Sequence, residues 1–276
     1  MESLTKLKQM ARTIRCDIIT TIYNTGSGHP GGSLSVTDIL TVLYFNQMNI
    51  DPKNPNKKDR DRFVLSKGHA SPALYSTLAR RGYFPIEELA KFRKINGLEG
   101  HPDMRETPGV DMSTGSLGQG ISAAGGMAMA GKLDNLPYRV YTVIGDGEAQ
   151  EGQVWEAAMT AGHHKLDNLC VIVDYNKIQS DGFVRKIKTL DPLGAKFRAF
   201  GFAVITIDGN DIAEIIKALN KAKATKGKPT AIIANTIKGK GVSYMENEKG
   251  WHGVAPNAEQ YDQAMKELGC HKKGRK

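Results

Sequence analysis

Cysteine is scarce in this chain of 276 residues: Cys16, Cys170 and Cys270 are odd in number, far apart and without a Cys-x-x-Cys spacing. That pattern argues against disulfides and against a zinc site. Cys170, inside an apolar run, reads as packed core. Long hydrophobic runs are missing as well. No apolar stretch reaches the roughly 18 residues of a membrane span, and Met1-Glu2-Ser3-Leu4-Thr5 lacks a signal-peptide pattern, so a cytoplasmic location with no membrane partner is expected. There is no internal repeat, and no low-complexity segment beyond the last six residues.

A formal net charge of +9 invites a nucleic-acid reading, but aromatics are only 7% of the chain and no basic, aromatic-rich motif of the kind that stacks on bases occurs. Lys272, Lys273, Arg275 and Lys276 fall at the C-terminal end, while Lys221, Lys223, Lys226 and Lys228 lie on or just after one amphipathic helix. Such runs are solvated faces. No nucleic-acid partner is expected, and anionic sugar phosphates are the simpler explanation of a basic surface.

With 40% hydrophobic and 24% charged residues, one large α/β domain over residues 1–268, followed by a basic disordered tail at 269–276, is the expected organisation. Leu4, Leu7, Met10, Ile14, Ile18 and Ile22 recur at helical spacing, predicting a helix over 3–24 that stops at Gly26. A second helix is expected after Ser35, with Asp38 as its capping-box acid. Strands are predicted at 62–65, 140–144, 169–174, 202–207 and 230–235. They alternate with helices at 71–81, 85–95, 117–132, 152–164, 194–200 and 211–224, and the polar stretch 51–62 is a loop. This alternation predicts an α/β fold, a doubly wound, mostly parallel sheet with helices on both faces.

Chemistry concentrates at the predicted strand ends. Gly145-Asp146-Gly147 follows one apolar run and Asn176 ends the next, which places both oxygen ligands at the carboxyl ends of neighbouring parallel strands. A carboxylate and an amide oxygen there suit a hard cation such as Mg2+, which shares its shell with phosphate oxygens. The cofactor is then a phosphate ester, and Gly145 and Gly147 would let the backbone approach it and adopt positive φ. The same residues also fit a plain strand-to-helix turn with Asn176 as a cap. Four of the seven histidines adjoin glycine in separate loops: Gly28-His29, Gly68-His69, Gly100-His101 and His252-Gly253. Packing alone does not predict that, and imidazoles are suited to donate to diphosphate oxygens and substrate hydroxyls. The small residues at 115–131 let a helix pack closely, and the loop before it exposes backbone to a flat ring.

Gly-Asp-Gly followed by a distant Asn resembles the signature of thiamine diphosphate (ThDP) enzymes. Gly-Ser-Gly-His-Pro-Gly-Gly from Gly26, Ser-Lys-Gly-His-Ala-Ser-Pro from Ser66, Gly100-His101-Pro102, Thr-Gly-Ser-Leu-Gly-Gln-Gly from Thr114, Gly-Asp-Gly-x-x-x-Glu-Gly and Trp251-His252-Gly253 occur in the order found in transketolase. Spread over residues 10 to about 265, they make nearly the whole chain similar to that family's diphosphate-binding domain with its ThDP-binding fold. Full-length members continue into pyrimidine-binding and C-terminal domains, so the chain resembles the N-terminal subunit of a split transketolase.

The resemblance implies that Asp146, Asn176 and the carbonyl of Ile178 hold Mg2+, with Ca2+ or Mn2+ as substitutes. It implies that His69, Gly147 and His252 contact the diphosphate, and that Gly115 and Leu117 touch the aminopyrimidine. His29 and His252 would line the substrate entrance, and His101 would contact the transferred two-carbon unit. Glu151 and Glu156 resemble the buried acids that link paired sites. Ser116 replaces a proline common in that loop, and the run from Glu151 to Glu156 departs from common full-length versions. The expected partner is a subunit with the pyrimidine and C-terminal domains, in a two-plus-two heterotetramer acting on sugar phosphates. Rival readings are a deoxyxylulose phosphate synthase or 2-oxo acid dehydrogenase component, against which the histidine set argues, and a non-catalytic ThDP-binding scaffold.

Overall fold

Five strands form one parallel sheet in the order β1-β2-β3-β5-β4: β1 (Arg62–Leu65), β2 (Val140–Gly145), β3 (Leu169–Tyr175), β4 (Ala203–Asp208) and β5 (Thr230–Asn235). The computed structural model describes residues 2–270. The helices are α1 (Leu4–Thr25), α2 (Pro30–Val42), α3 (Ser71–Arg81), α4 (Gln119–Leu133), α5 (Gly152–His163), α6 (Val184–Ile187), α7 (Leu193–Ala199), α8 (Ile212–Ala224) and α9 (Ala258–Glu267). Strands β1, β2, β3 and β5 are buried on both sides because helices cover both faces, whereas the edge strand β4 is partly exposed. Alternation along the strands sorts the core into two layers. Phe63, Leu65, Tyr141, Val143 and Ile172 pack toward α1, α2 and α8, whereas Val64, Val140, Val171, Val173 and Ile233 pack toward α4, α5 and α7. The expected doubly wound α/β sheet is what the chain forms. Among the described residues no helix is long and apolar enough to cross a membrane.

The predicted elements hold to within a residue or two for all five strands and most helices. Ser3 caps α1 by accepting from Lys6 N, and Gly26, at φ 68°, ends it with its N–H on the carbonyls of Ile22 and Tyr23. Gly118, at φ 84°, delays the start of α4 to Gln119.

Several expectations are corrected. The second helix starts at Pro30, whose fixed φ suits a first helical position, so Ser35 and Asp38 lie inside it. There Asp38 is a buried ion-pair partner of Arg15 at 2.6 Å rather than a cap. Over 85–95 only a short 3-10 turn, Ile86–Lys91, forms, because the backbone turns left-handed at Arg93 and Asn96. Helix α9 was not anticipated, although the capping box of Asn257 and Gln260 marks its start.

Cys16 and Cys270 form a disulfide, with Cα atoms 6.3 Å apart, contrary to the expectation of free thiols. Spacing along the chain hides this pairing, because α9 runs back along α1. Tyr23 stacks on Tyr261 at 4.2 Å, Thr20 meets Met265 at 3.9 Å, and the chain end thereby reaches Cys16. Gly269 and Cys270, expected in a disordered tail, belong to this packed end, with the Cys270 amide donating to Met265 O at 2.8 Å. The basic residues Lys272, Lys273, Arg275 and Lys276 lie outside the described residues. Cys170 is a buried free thiol in β3, as expected.

Candidate active site

The carboxyl ends of β1, β2, β3 and β5 converge on a cleft of about 200 Å³. Asp146 leaves β2, Asn176 and Ile178 follow β3, His69 follows β1, and Lys238 follows β5, so neighbouring parallel strands deliver the groups side by side. His252, Leu117, Gly147 and Glu151 line the same cleft.

The three expected metal oxygens share this cleft. Asp146 is buried, at 3% exposure, and accepts from the amides of Gly147 at 2.7 Å and Lys177. Burial, and then the nearby Asp174 carboxylate, push its carboxyl up to about 6. Asn176 Oδ1 accepts from the Ile178 amide at 3.2 Å, and the Ile178 carbonyl accepts from Lys238 Nζ at 2.9 Å. One carboxylate, one amide and one carbonyl make only half of an octahedral shell. No cluster of three or more His, Cys, Asp or Glu side chains forms a metal site among the described residues. A cation held here needs oxygens from a bound phosphate ester, which is the coordination Mg2+ favours. Asp146 has no ion-pair partner among the described residues, and a buried charge of that kind calls for a cation. The donor set therefore fits Mg2+ and a diphosphate.

The four loop histidines meet in space. His29 lies 5.3 Å from His69 and 5.4 Å from His252 between ring centroids, His69 lies 5.3 Å from His252, and His101 lies 6.5 Å from His29. Burial, with Arg93 and other cations adding to it, lowers His29 to about 4. Burial and Lys238 lower His252 to about 4, burial and Lys67 hold His69 well below the usual imidazole range, and burial and Arg93 lower His101. All four are thus neutral at pH 7, each with one N–H to donate. His29 Nδ1 is buried with no hydrogen-bond partner. Gly115 adjoins His101, where a Cβ would stand 3.3 Å from its ring, and Leu117 is partly exposed at the mouth.

Some expectations fail in detail. Gly147 is right-handed helical, at φ −60°, and Gly145 is regular strand, so neither uses positive φ. Close approach remains the reason for Gly147, where a Cβ would stand 3.0 Å from Gln179 Cβ. Glu151 and Glu156 are exposed rather than buried in this single chain, because the first turns of α5 face outward there; Glu151 sits at the cleft rim and Glu156 does not line it. The buried acid is Glu148, which accepts from the amides of Gly118 at 2.9 Å and Gly145 at 3.0 Å and from Ser66 Oγ.

Sequence reasoning also missed two buried lysines. Lys67 pairs with Asp174 and donates to the Gly32 carbonyl at 2.9 Å. Lys238 stands between the Ile178 carbonyl and His252 Nδ1, 3.0 Å away, and burial, with Lys67 nearby, lowers it to about 8. Both follow a strand and precede a glycine, as the loop histidines adjoin glycine, and that shared signal could have singled them out.

Comparison with known proteins agrees with this geometry. Residues 6–275 match the family model described as "Transketolase, thiamine diphosphate binding domain". The chain is 51% identical over 263 residues to the 6-deoxy-6-sulfo-D-fructose transketolase subunit SqwG of Clostridium sp. (strain MSTE9), covering 95% of this chain and 96% of that protein. It is 42% identical over 254 residues to an apulose-4-phosphate transketolase subunit of Phocaeicola vulgatus, covering 91% of this chain and 89% of that protein. The crystal structure of transketolase from Campylobacter jejuni superposes with a TM-score of 0.91 at 37% identity, covering 97% of this chain and 43% of that one. Taken with the cleft geometry, these matches show that the chain belongs to the transketolase family and corresponds to its thiamine diphosphate-binding section.

Proposed function

We propose that this chain is the diphosphate-binding subunit of a split transketolase, which moves a two-carbon ketol group between sugar phosphates once joined to a second chain carrying the pyrimidine and C-terminal domains. The observation that carries this reading is the clustering of four neutral imidazoles, two of which, His69 and His252, line the cleft that holds the Asp146, Asn176 and Ile178 oxygens. Bound ThDP supplies the electron sink for carbon–carbon cleavage. Asp146, Asn176 and the Ile178 carbonyl would hold Mg2+, or Ca2+ or Mn2+ in its place, against the diphosphate. Lys238, His69 and His252 would donate to diphosphate oxygens, and the Gly147 backbone would allow their approach. Gly115 and Leu117 would border the aminopyrimidine. His29, His252 and His101 would donate to substrate oxygens while staying neutral, which leaves a transferred proton on the substrate side. We assign the surface acids Glu151 and Glu156 to contacts that form only in the assembly.

Partner dependence is supported by two features. The subunit relatives are nearly covered end to end by this chain, whereas the C. jejuni transketolase chain is covered to 43%. Gly125 and Gly126 on α4 have open space at their Cα atoms, which fits close approach by another chain in a two-plus-two heterotetramer. An enzyme acting on anionic sugar phosphates agrees with the basic composition. A second reading of the substrate, a sulfonated ketose, is favoured by the 51% identity to the sulfofructose transketolase subunit. The test is ketol transfer from xylulose 5-phosphate or 6-deoxy-6-sulfofructose to an aldose phosphate with ThDP and Mg2+. Turnover should require a pyrimidine-domain subunit; robust turnover by the lone chain overturns the split-site reading.

A further inference from the structure

We propose that Asp174 is a positioning residue that determines which end of the Asn176 amide faces the cation. This rests on the metal site proposed above and assigns a role to a group outside that ligand set. A carboxamide is nearly symmetric in shape, so space alone does not distinguish its oxygen from its nitrogen; the hydrogen-bond partners do. Asn176 Nδ2 lies 3.4 Å from both Asp174 Oδ2 and Ser35 Oγ, while Oδ1 lies 3.2 Å from the Ile178 amide. Reversing the amide would set its oxygen against a carboxylate and turn its N–H groups toward both the Ile178 N–H and the cation. Each of those contacts is repulsive, and together they hold Oδ1 toward the metal.

Asp174 can act this way because it is itself immobile. It is fully buried at the end of β3, in register with Gly145 of β2 and Ala234 of β5. Its carboxylate accepts from Ser35 Oγ at 2.6 Å, from Lys67 Nζ and from Thr236 Oγ1. Lys67, also fully buried, completes the clamp by donating to the Gly32 carbonyl. Helix α2, the end of β1, the end of β3 and the loop after β5 are therefore tied at one carboxylate, two residues before the amide. A purely structural ion pair would have no need of Asn176. Buried pairs of that kind contribute little net stability compared with apolar packing.

The experiment measures Mn2+ binding to the full chain assembled with a pyrimidine-domain subunit, in the presence of ThDP, by electron paramagnetic resonance, using a double-mutant cycle. Asp174→Asn should weaken Mn2+ binding by about tenfold to a hundredfold, the usual effect of losing a group that orients a metal ligand. In an Asn176→Asp background both ends of the ligand are oxygens and orientation no longer matters. There the same Asp174→Asn change should leave Mn2+ affinity unchanged or improve it. Ser35→Ala, which removes a single hydroxyl that touches both residues, gives the same cycle with less risk to folding. Equal losses in both backgrounds would reduce Asp174 to a structural role and overturn the inference. Absence of Mn2+ binding by the wild-type assembly would instead remove the metal site itself, and the inference with it.

Discussion

Lys238 donates from its ammonium to the carbonyl oxygen of Ile178 at 2.9 Å, the same oxygen assigned to the cation. A buried cation thus stands at the edge of the metal position and beside His252, where diphosphate oxygens would arrive. Lys238→Met should weaken ThDP binding about tenfold or more, since a hydrogen bond to a charged group contributes about 1.5–3 kcal/mol. Calorimetric titration showing unchanged affinity would remove Lys238 from the diphosphate site.

Asp146 should show a trade between stability and binding. Its folded carboxyl is pushed up to about 6 from 3.8 by burial and by Asp174. A folded value above the unfolded one means that stability is fully present below pH 3.8 and is lost as pH rises through about 6. Asp146→Asn, which carries no charge, should therefore stabilise the metal-free chain by about 1–3 kcal/mol at pH 8 and by nothing at pH 4. Asp146→Ala and Asp146→Asn should both lose Mg2+-dependent ThDP binding. Thermal melts with no gain at pH 8, or titrations with wild-type affinity, count against this account.

His101 lies at the outer side of the histidine cluster, 6.5 Å from His29, and does not line the cleft around Asp146. His101→Ala should leave ThDP affinity within about twofold and lower kcat of the assembled enzyme by tenfold or more, as expected for a contact made in the transition state. Loss of ThDP affinity with normal turnover at saturating cofactor would place His101 on the cofactor instead.

The neutral histidines predict an acid-side loss of stability. With His29 and His252 at about 4 and His69 well below its usual range, the unfolded chain takes up protons that the folded chain refuses. Stability is then full above pH 6.5 and falls as pH drops from 6.5 toward 4. His29→Asn should flatten that fall, seen as a smaller shift in urea midpoint between pH 7 and pH 5. Identical shifts for variant and wild type would show that His29 titrates normally.

Strand ends and histidine loops were legible because glycine-flanked polar residues directly follow apolar runs, and parallel strands bring such loops to one edge. Asp146 and His69 were recoverable in that way, Asn176 as the polar residue ending the next run and His252 from its glycine-flanked loop, whereas Ile178 came only from the resemblance to transketolase. Burial was harder to read. Asp146 looks like a surface residue in the sequence, yet it is 3% exposed because the turn after β2 folds under the loop at Lys177. Lys67, Asp174 and Lys238 escaped notice for a related reason: buried charges are uncommon, and their partners are separated by up to 139 positions, as in Ser35 and Asp174. The disulfide escaped because no short-range pattern records that the last helix returns along the first.

The Cys16–Cys270 bond closes a covalent ring spanning 254 positions. A ring cut once is still one molecule. Limited proteolysis at the largely exposed loop 53–58 should therefore leave a single species of unchanged mass on a non-reducing gel, and two fragments once thiol is added. The fragment bearing His29 would remain tied to the fragment bearing His252 after the backbone between them is broken, and two bands without reductant would show that the ring is open.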